Sequence, residues 1–154
     1  MAIALDTKKE ATVFDLQAQL LEQGRSMDLL AKTDLMHAHI KVYANGGENG
    51  LHTHPNEDHI FVVLAGEATF RTGEEERQQV VGRYQGIMLP GGAYYWFEST
   101  GKDNLILLRV GAQIPGTEYG RTKPDGSPIP GHSVDNKHVE MIPREGKYFP
   151  SDLS

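Results

Sequence analysis

From residue 26 to residue 110 the sequence is a succession of short apolar or alternating segments, at 26–31, 35–43, 51–54, 59–64, 68–71, 79–81, 86–89, 94–98 and 105–110. Turn chemistry separates them: Asn45-Gly46-Gly47-Glu48-Asn49-Gly50, Ala65-Gly66, Thr72-Gly73, Pro90-Gly91-Gly92 and Gly101-Lys102-Asp103-Asn104. Runs too short for helices, closed by residues that bend the chain or accept positive φ, specify strands. So many strands in succession specify an all-β sandwich or barrel.

Ahead of these strands Val13, Leu16 and Leu20 recur at helical spacing, Leu21 widens the same face, and Gly24 follows where a helix would stop. The spacing predicts one short helix over 13–23. After Gly111 the composition changes, because six of the eight prolines fall in the remainder of the chain. The expectation is one domain over 1–154, with a barrel core at about 26–111 and an extended Pro-rich tail over 112–154. The tail's apolar residues, Ile114, Tyr119, Ile129, Val139, Met141, Ile142, Tyr148 and Phe149, are spaced as anchors to the barrel or to a neighbouring subunit. Disorder of the tail is the other reading.

The 154 residues, 38% of them hydrophobic, are enough for one core. Cysteine is absent, which excludes disulfides, iron–sulfur clusters and thiol nucleophiles, so any metal must sit on His, carboxylate or Tyr. Fifteen Lys+Arg against 21 Asp+Glu give a formal charge of -6 with no basic run, which argues against nucleic acid as a partner. The longest apolar stretches, 60–65 and 105–108, fall far short of the roughly 20 residues of a membrane span. The amino terminus has no secretory apolar region, so a cytoplasmic protein with no membrane partner is expected.

The most informative stretch is 46–66, GGENGLHTHPNEDHIFVVLAG. His52 and His54 share one face of a strand, and after a turn at Pro55-Asn56 a third imidazole, His59, opens the next strand. Three such imidazoles can converge on one ion, and imidazole suits Zn, Cu, Fe and Ni. Exposed polar side chains on an outer strand face are the other reading.

This stretch resembles the first motif of the cupin superfamily: G, five residues, His-x-His, three or four residues, Glu, six residues, G. Gly46, His52, His54 and Gly66 match in register, and His59 stands in the glutamate slot. Glu57, just before that slot, is the alternative ligand. The second motif, P-x-G, two residues, His, three residues, Asn, is matched at Pro90 and Gly92 but holds Tyr95 and Ser99 in place of His and Asn. The Tyr95 phenol can ligate a Lewis-acidic ion, hydrogen-bond to a bound substrate or water, or fill volume.

The resemblance covers residues 35–111, about half the chain. It implies a double-stranded β-helix, or jelly-roll barrel, holding one divalent metal ion on His52, His54 and His59, with Fe first and Zn, Ni or Mn as alternatives. It implies a small-molecule substrate and a homodimer. The function so implied is a metal-dependent enzyme, an Fe(II)/O2 dioxygenase acting on a small enolisable carbonyl or phenolic compound with Tyr95 as a catalytic residue. The alternatives are a redox-neutral isomerase, lyase or hydrolase, and a non-enzymatic small-ligand-binding cupin.

With His59 pointing inward, the period of two sends Phe61 and Val63 inward, and from Tyr95 it sends Phe97 inward and Trp96 outward. Phe61, Tyr95 and Phe97 are predicted to line an aromatic pocket for a small, flat ligand, ordinary core packing being the other use of such rings. Arg109 interrupts the apolar strand 105–110, so it holds a substrate carboxylate or enolate, or forms an internal ion pair. His37, His39 and Lys41 share the polar face of a strand, one histidine bonding to a ligand residue in the sharper reading. His132 and His138 carry no motif.

Overall fold

The computed structural model describes residues 9–44, 50–118, 120–129 and 139–153. The turn residue Gly46, the tail residue Tyr119, His132 and His138 lie outside them. The strands are β1 (Ala18–Gln23), β2 (Arg25–Lys32), β3 (Met36–Tyr43), β4 (Glu57–Ala65), β5 (Ala68–Thr72), β6 (Arg77–Val81), β7 (Gly86–Leu89), β8 (Tyr95–Ser99), β9 (Leu105–Gln113) and β10 (Ile142–Phe149).

All pairings are antiparallel. Five strands form one sheet in the order β2-β3-β9-β4-β7, three form a second in the order β6-β5-β8, and β1 pairs with β10. Between the two larger sheets lies a core of Tyr43, Phe61, Val63, Phe70, Leu89, Tyr95, Phe97, Leu105 and Leu107. On the far face of the five-stranded sheet, Ile40, Val42 and Ile106 pack against Leu20, Leu21 and Phe149 of the β1–β10 pair. A sheet covered on both faces needs apolar residues at successive positions, which is why β9 begins Leu-Ile-Leu-Leu without alternation. The all-β barrel expected from the turn spacing, in the jelly-roll form that the resemblance implies, is the observed architecture.

The helix predicted over 13–23 is not formed: no helix occurs among the described residues, and 18–23 is β1. The reason is long-range hydrogen bonding. The buried Asn104 side chain accepts from the Leu21 N–H at 2.7 Å and donates to the Leu21 carbonyl at 3.0 Å. The Gln19 amide donates to the Arg144 and Lys147 carbonyls, and Gln23 to that of Glu140. Val13, placed by the helical spacing on the buried face, is 94% exposed. Tertiary partners outweigh a helical propensity worth only tenths of a kcal/mol per residue.

The tail wraps the barrel where it is described, through β10 and through Thr122, which pairs by single bridges with Thr53 and Pro128. Of its expected anchors Ile129 and Phe149 are buried, whereas Ile114, Met141, Ile142 and Tyr148 stay exposed. Segment 51–54 is not a strand but carries bridges at His52 and Thr53. Among the described residues no helix is long and apolar enough to cross a membrane.

Candidate functional site

His52 and Tyr95 exchange backbone hydrogen bonds of 3.1 and 2.8 Å, which hang the His-x-His segment on the edge of β8. On its other side Thr53 exchanges bonds of 2.9 and 3.0 Å with Thr122. Gripped from both sides, His52 and His54 are buried, and His59 enters from β4 to meet them. The rings of His52 and His54 lie 5.3 Å apart, and those of His54 and His59 5.0 Å apart. All three candidate ligands are thus brought together.

Their hydrogen bonds set which nitrogen faces the cluster. His52 Nδ1 donates to the Gly50 carbonyl at 2.7 Å, so Nε2 carries a lone pair, buried with no hydrogen-bond partner. At His59 the Tyr95 hydroxyl lies 3.1 Å from Nε2 and Glu57 Oε1 lies 3.7 Å from Nδ1. Burial, the largest cause, lowers the pKa of His52 to about 4, against a smaller upward pull from its bond to Gly50. Burial also holds His54 and His59 well below the usual value, with added repulsion from His52 and Arg109 on the former and from Arg109 and Lys41 on the latter. All three imidazoles are neutral at neutral pH. Among the described residues no group of three or more His, Asp or Glu is arranged as a formed ion shell.

The inward direction of Phe61, Val63, Tyr95 and Phe97 follows the strand period, and these rings pack into the core with Phe70 and Tyr43. Trp96 points away, its indole N–H donating to Glu76 and its ring under the Arg71 guanidinium at 4.4 Å. Arg109 is buried and donates to Glu57 Oε1, so of the two readings of this residue the internal ion pair is the one formed. Glu57, the alternative ligand, is held by that bond, and its Oε2 lies 3.4 Å from His37 Nε2.

The polar face of β3 is partly buried. His37, His39 and Lys41 alternate along it, and His39 stands opposite Arg109 in the β3–β9 register. His37 and His39 bring their Nδ1 atoms to 3.1 Å. Gly111 makes room here: a Cβ added to it would meet Glu57 Oε1 at 2.5 Å and the His37 ring at 2.7 Å. The link from His37 through Glu57 to Arg109 was missed from sequence. The alternation His37-x-His39-x-Lys41 was its only signal. A cavity of about 510 Å³ opens at this end, lined in part by His37, His39, Met27, Leu29, Met36 and Ile114.

Two antiparallel sheets closed over an aromatic core, with buried histidines at one end, define a double-stranded β-helix with a candidate metal or ligand site. Residues 39–111 match the family model of the cupin domain. Over that region, just under half of its length, the chain carries a cupin domain. It is similar in structure to a double-stranded β-helix protein from Klebsiella pneumoniae, at a TM-score of 0.61 and 16% identity over 73% of this chain and 97% of that one. It is also similar to the cupin domain of Schizosaccharomyces pombe Cnp3, at 0.55 and 19% over 61% and 68%. KdgF from a Halomonas species aligns at 0.54 and 15% over 60% and 82%. At these identities the likeness concerns the fold. The sequence has no match among curated proteins.

Proposed function

We propose that the chain is a metal-dependent small-molecule enzyme of the cupin type, with His52, His54 and His59 as ligands of one divalent ion. The observation that carries this reading is His52 Nε2, a buried lone pair without a partner, fixed by the bond from Nδ1 to a backbone carbonyl. Leaving a buried acceptor unpaired costs about 1–3 kcal/mol. A carbonyl on the far nitrogen is how metal-ligating histidines are oriented. The donor set is consistent with this, since ligation requires neutral imidazole and burial keeps all three neutral.

When bound, such an ion supplies Lewis acidity toward a substrate oxygen or, as iron, chemistry with O2. With iron the reading is a dioxygenase acting on a small enolisable carbonyl or phenolic compound. With Zn, Ni or Mn it is a redox-neutral isomerase, lyase or hydrolase. The Tyr95 hydroxyl lies within hydrogen-bonding distance of His59 Nε2, at 3.1 Å, so it can hold a proton at the edge of the site or return it. Phe61 and Phe97 exclude water beneath the histidines, and Arg109 fixes Glu57 beside His59.

One observation favours the second reading, a non-enzymatic ligand-binding cupin: His59 Nε2 is hydrogen-bonded to the Tyr95 hydroxyl, which competes with an ion for that nitrogen. Calorimetric titration of Fe(II), Mn(II), Ni(II) and Zn(II) into the wild type and Tyr95→Phe separates the two. The enzyme reading expects saturable uptake, tighter in Tyr95→Phe, where His59 Nε2 is released. No uptake by either protein would contradict it and support the binding module.

A further inference from the structure

Lys41, partly buried on β3, is a cation that the site described above does not use. Its ammonium lies 5.2 Å from the centre of the Tyr43 ring and 5.7 Å from that of Phe61. The Arg109 guanidinium lies 5.9 Å from the same Phe61 ring. The two cations therefore share one aromatic ring. Glu57 is the carboxylate nearby, and it is bonded to Arg109. Among the described residues no carboxylate forms an ion pair with Lys41.

The surroundings add positive charge rather than remove it. Burial, then Arg109, Arg25 and Arg121, push the Lys41 ammonium well below its usual pKa, and Glu57 alone pulls the other way. A cation set among other cations in a partly buried place is costly unless an anion joins it. The rings offset only a part of that cost.

The cavity at the barrel mouth lies beside this point: Lys41 and Arg109 do not line it, but His39, two residues from Lys41 on the same face of β3, does. In the β2–β3 register Met27 stands opposite Lys41 and Leu29 opposite His39. Directly paired residues point to the same side of a sheet. Met27, Leu29, Met36 and Ile114, all partly exposed, give the cavity an apolar wall with Lys41 next in line beyond Met27.

We propose that this mouth binds the carboxylate of a small organic acid, the anion on Lys41 backed by Arg109 and the apolar body against Met27, Leu29, Met36 and Ile114. The proposal names the substrate class of the histidine site and rests on that reading for the acid being a substrate, though not for its binding.

The test uses benzoate and its neutral isostere benzamide as probes, titrated calorimetrically into the full chain in chelator. Wild type is expected to bind benzoate and not benzamide. Lys41→Met is expected to weaken benzoate by about tenfold or more, and Lys41→Arg to restore most of it. Without ligand, Lys41→Met is expected to melt no lower than wild type, because it removes an unpaired charge. Equal binding of benzoate and benzamide, no binding of benzoate, or benzoate affinity unchanged in Lys41→Met would overturn the proposal. Metal uptake, measured separately in Lys41→Met, is expected to match wild type. Failure of uptake there and in wild type counts against the metal reading while leaving the benzoate result to stand by itself.

Discussion

At Glu57 several partners meet on one carboxylate: Arg109 on Oε1, His37 on Oε2 and, at 3.7 Å, His59. Glu57→Gln keeps the shape but leaves Arg109 buried without its counter-charge, and breaking a buried pair in this way costs about 3–5 kcal/mol. Urea unfolding is expected to show a loss of that order, and a change below about 1 kcal/mol, the scale of an exposed pair, would mean that the pair is solvated. The buried histidines make a second expectation. His52 has a folded pKa of about 4 against an unfolded value of 6.5, so below 6.5 the unfolded chain takes up the proton first. Stability is therefore full above pH 6.5 and falls as the pH drops toward 4, in the same direction for His54 and His59. Unfolding midpoints measured across that window should fall with acid in wild type and fall less steeply in His52→Ala. Parallel slopes would refute the assignment. At this scale, with His59 and Tyr95 placed inward by the motif, the strand period gave the inward direction of Phe61, Val63 and Phe97. The partner of Arg109 was not legible, because Glu57 lies 52 positions away on another strand and only the fold brings them into register.

Among the elements, β1 separates what local pattern can specify from what it cannot. Val13, Leu16 and Leu20 carry a helical period, yet Leu20 and Leu21 are both buried in a strand whose pairing partner, β10, begins at Ile142. No local feature of 13–23 announces that partner or the Asn104 side chain bonded to both backbone groups of Leu21. Asn104→Ala removes both bonds and leaves a buried N–H and C=O unsatisfied, at an expected cost of about 2–4 kcal/mol. Amide exchange should accelerate along β1 and β10 in that variant while β4 and β9 stay protected; uniform acceleration would mean that the pair does not depend on this contact. The central strands were legible because turns bound them, and β7 (Gly86–Leu89) has the bounds that the sequence implied. β10 was not, since Pro143 and Gly146 inside it argue against a strand unless it lies at an edge, which is where it is.

For the whole molecule, the fold was legible from turn spacing and one histidine motif, whereas the path of the tail was not, because the contacts that fix it to the barrel, Thr122 with Thr53 and β10 with β1, are with elements distant in the sequence. Met141, Ile142 and Tyr148 leave apolar surface on and beside β10. We expect a second copy of the chain to cover it, so light scattering should give near twice 17.0 kDa, and a monomer would count against pairing through the tail. The central claim, however, is the ion on His52, His54 and His59. The most direct test is elemental mass spectrometry of untagged protein, as purified and after supply of Fe(II), Mn(II), Ni(II) or Zn(II), alongside His52→Ala. Close to one ion per chain is expected in wild type, with little or none in His52→Ala although that variant stays folded. No ion in wild type under any of these conditions, or an unchanged content in His52→Ala, would contradict the account.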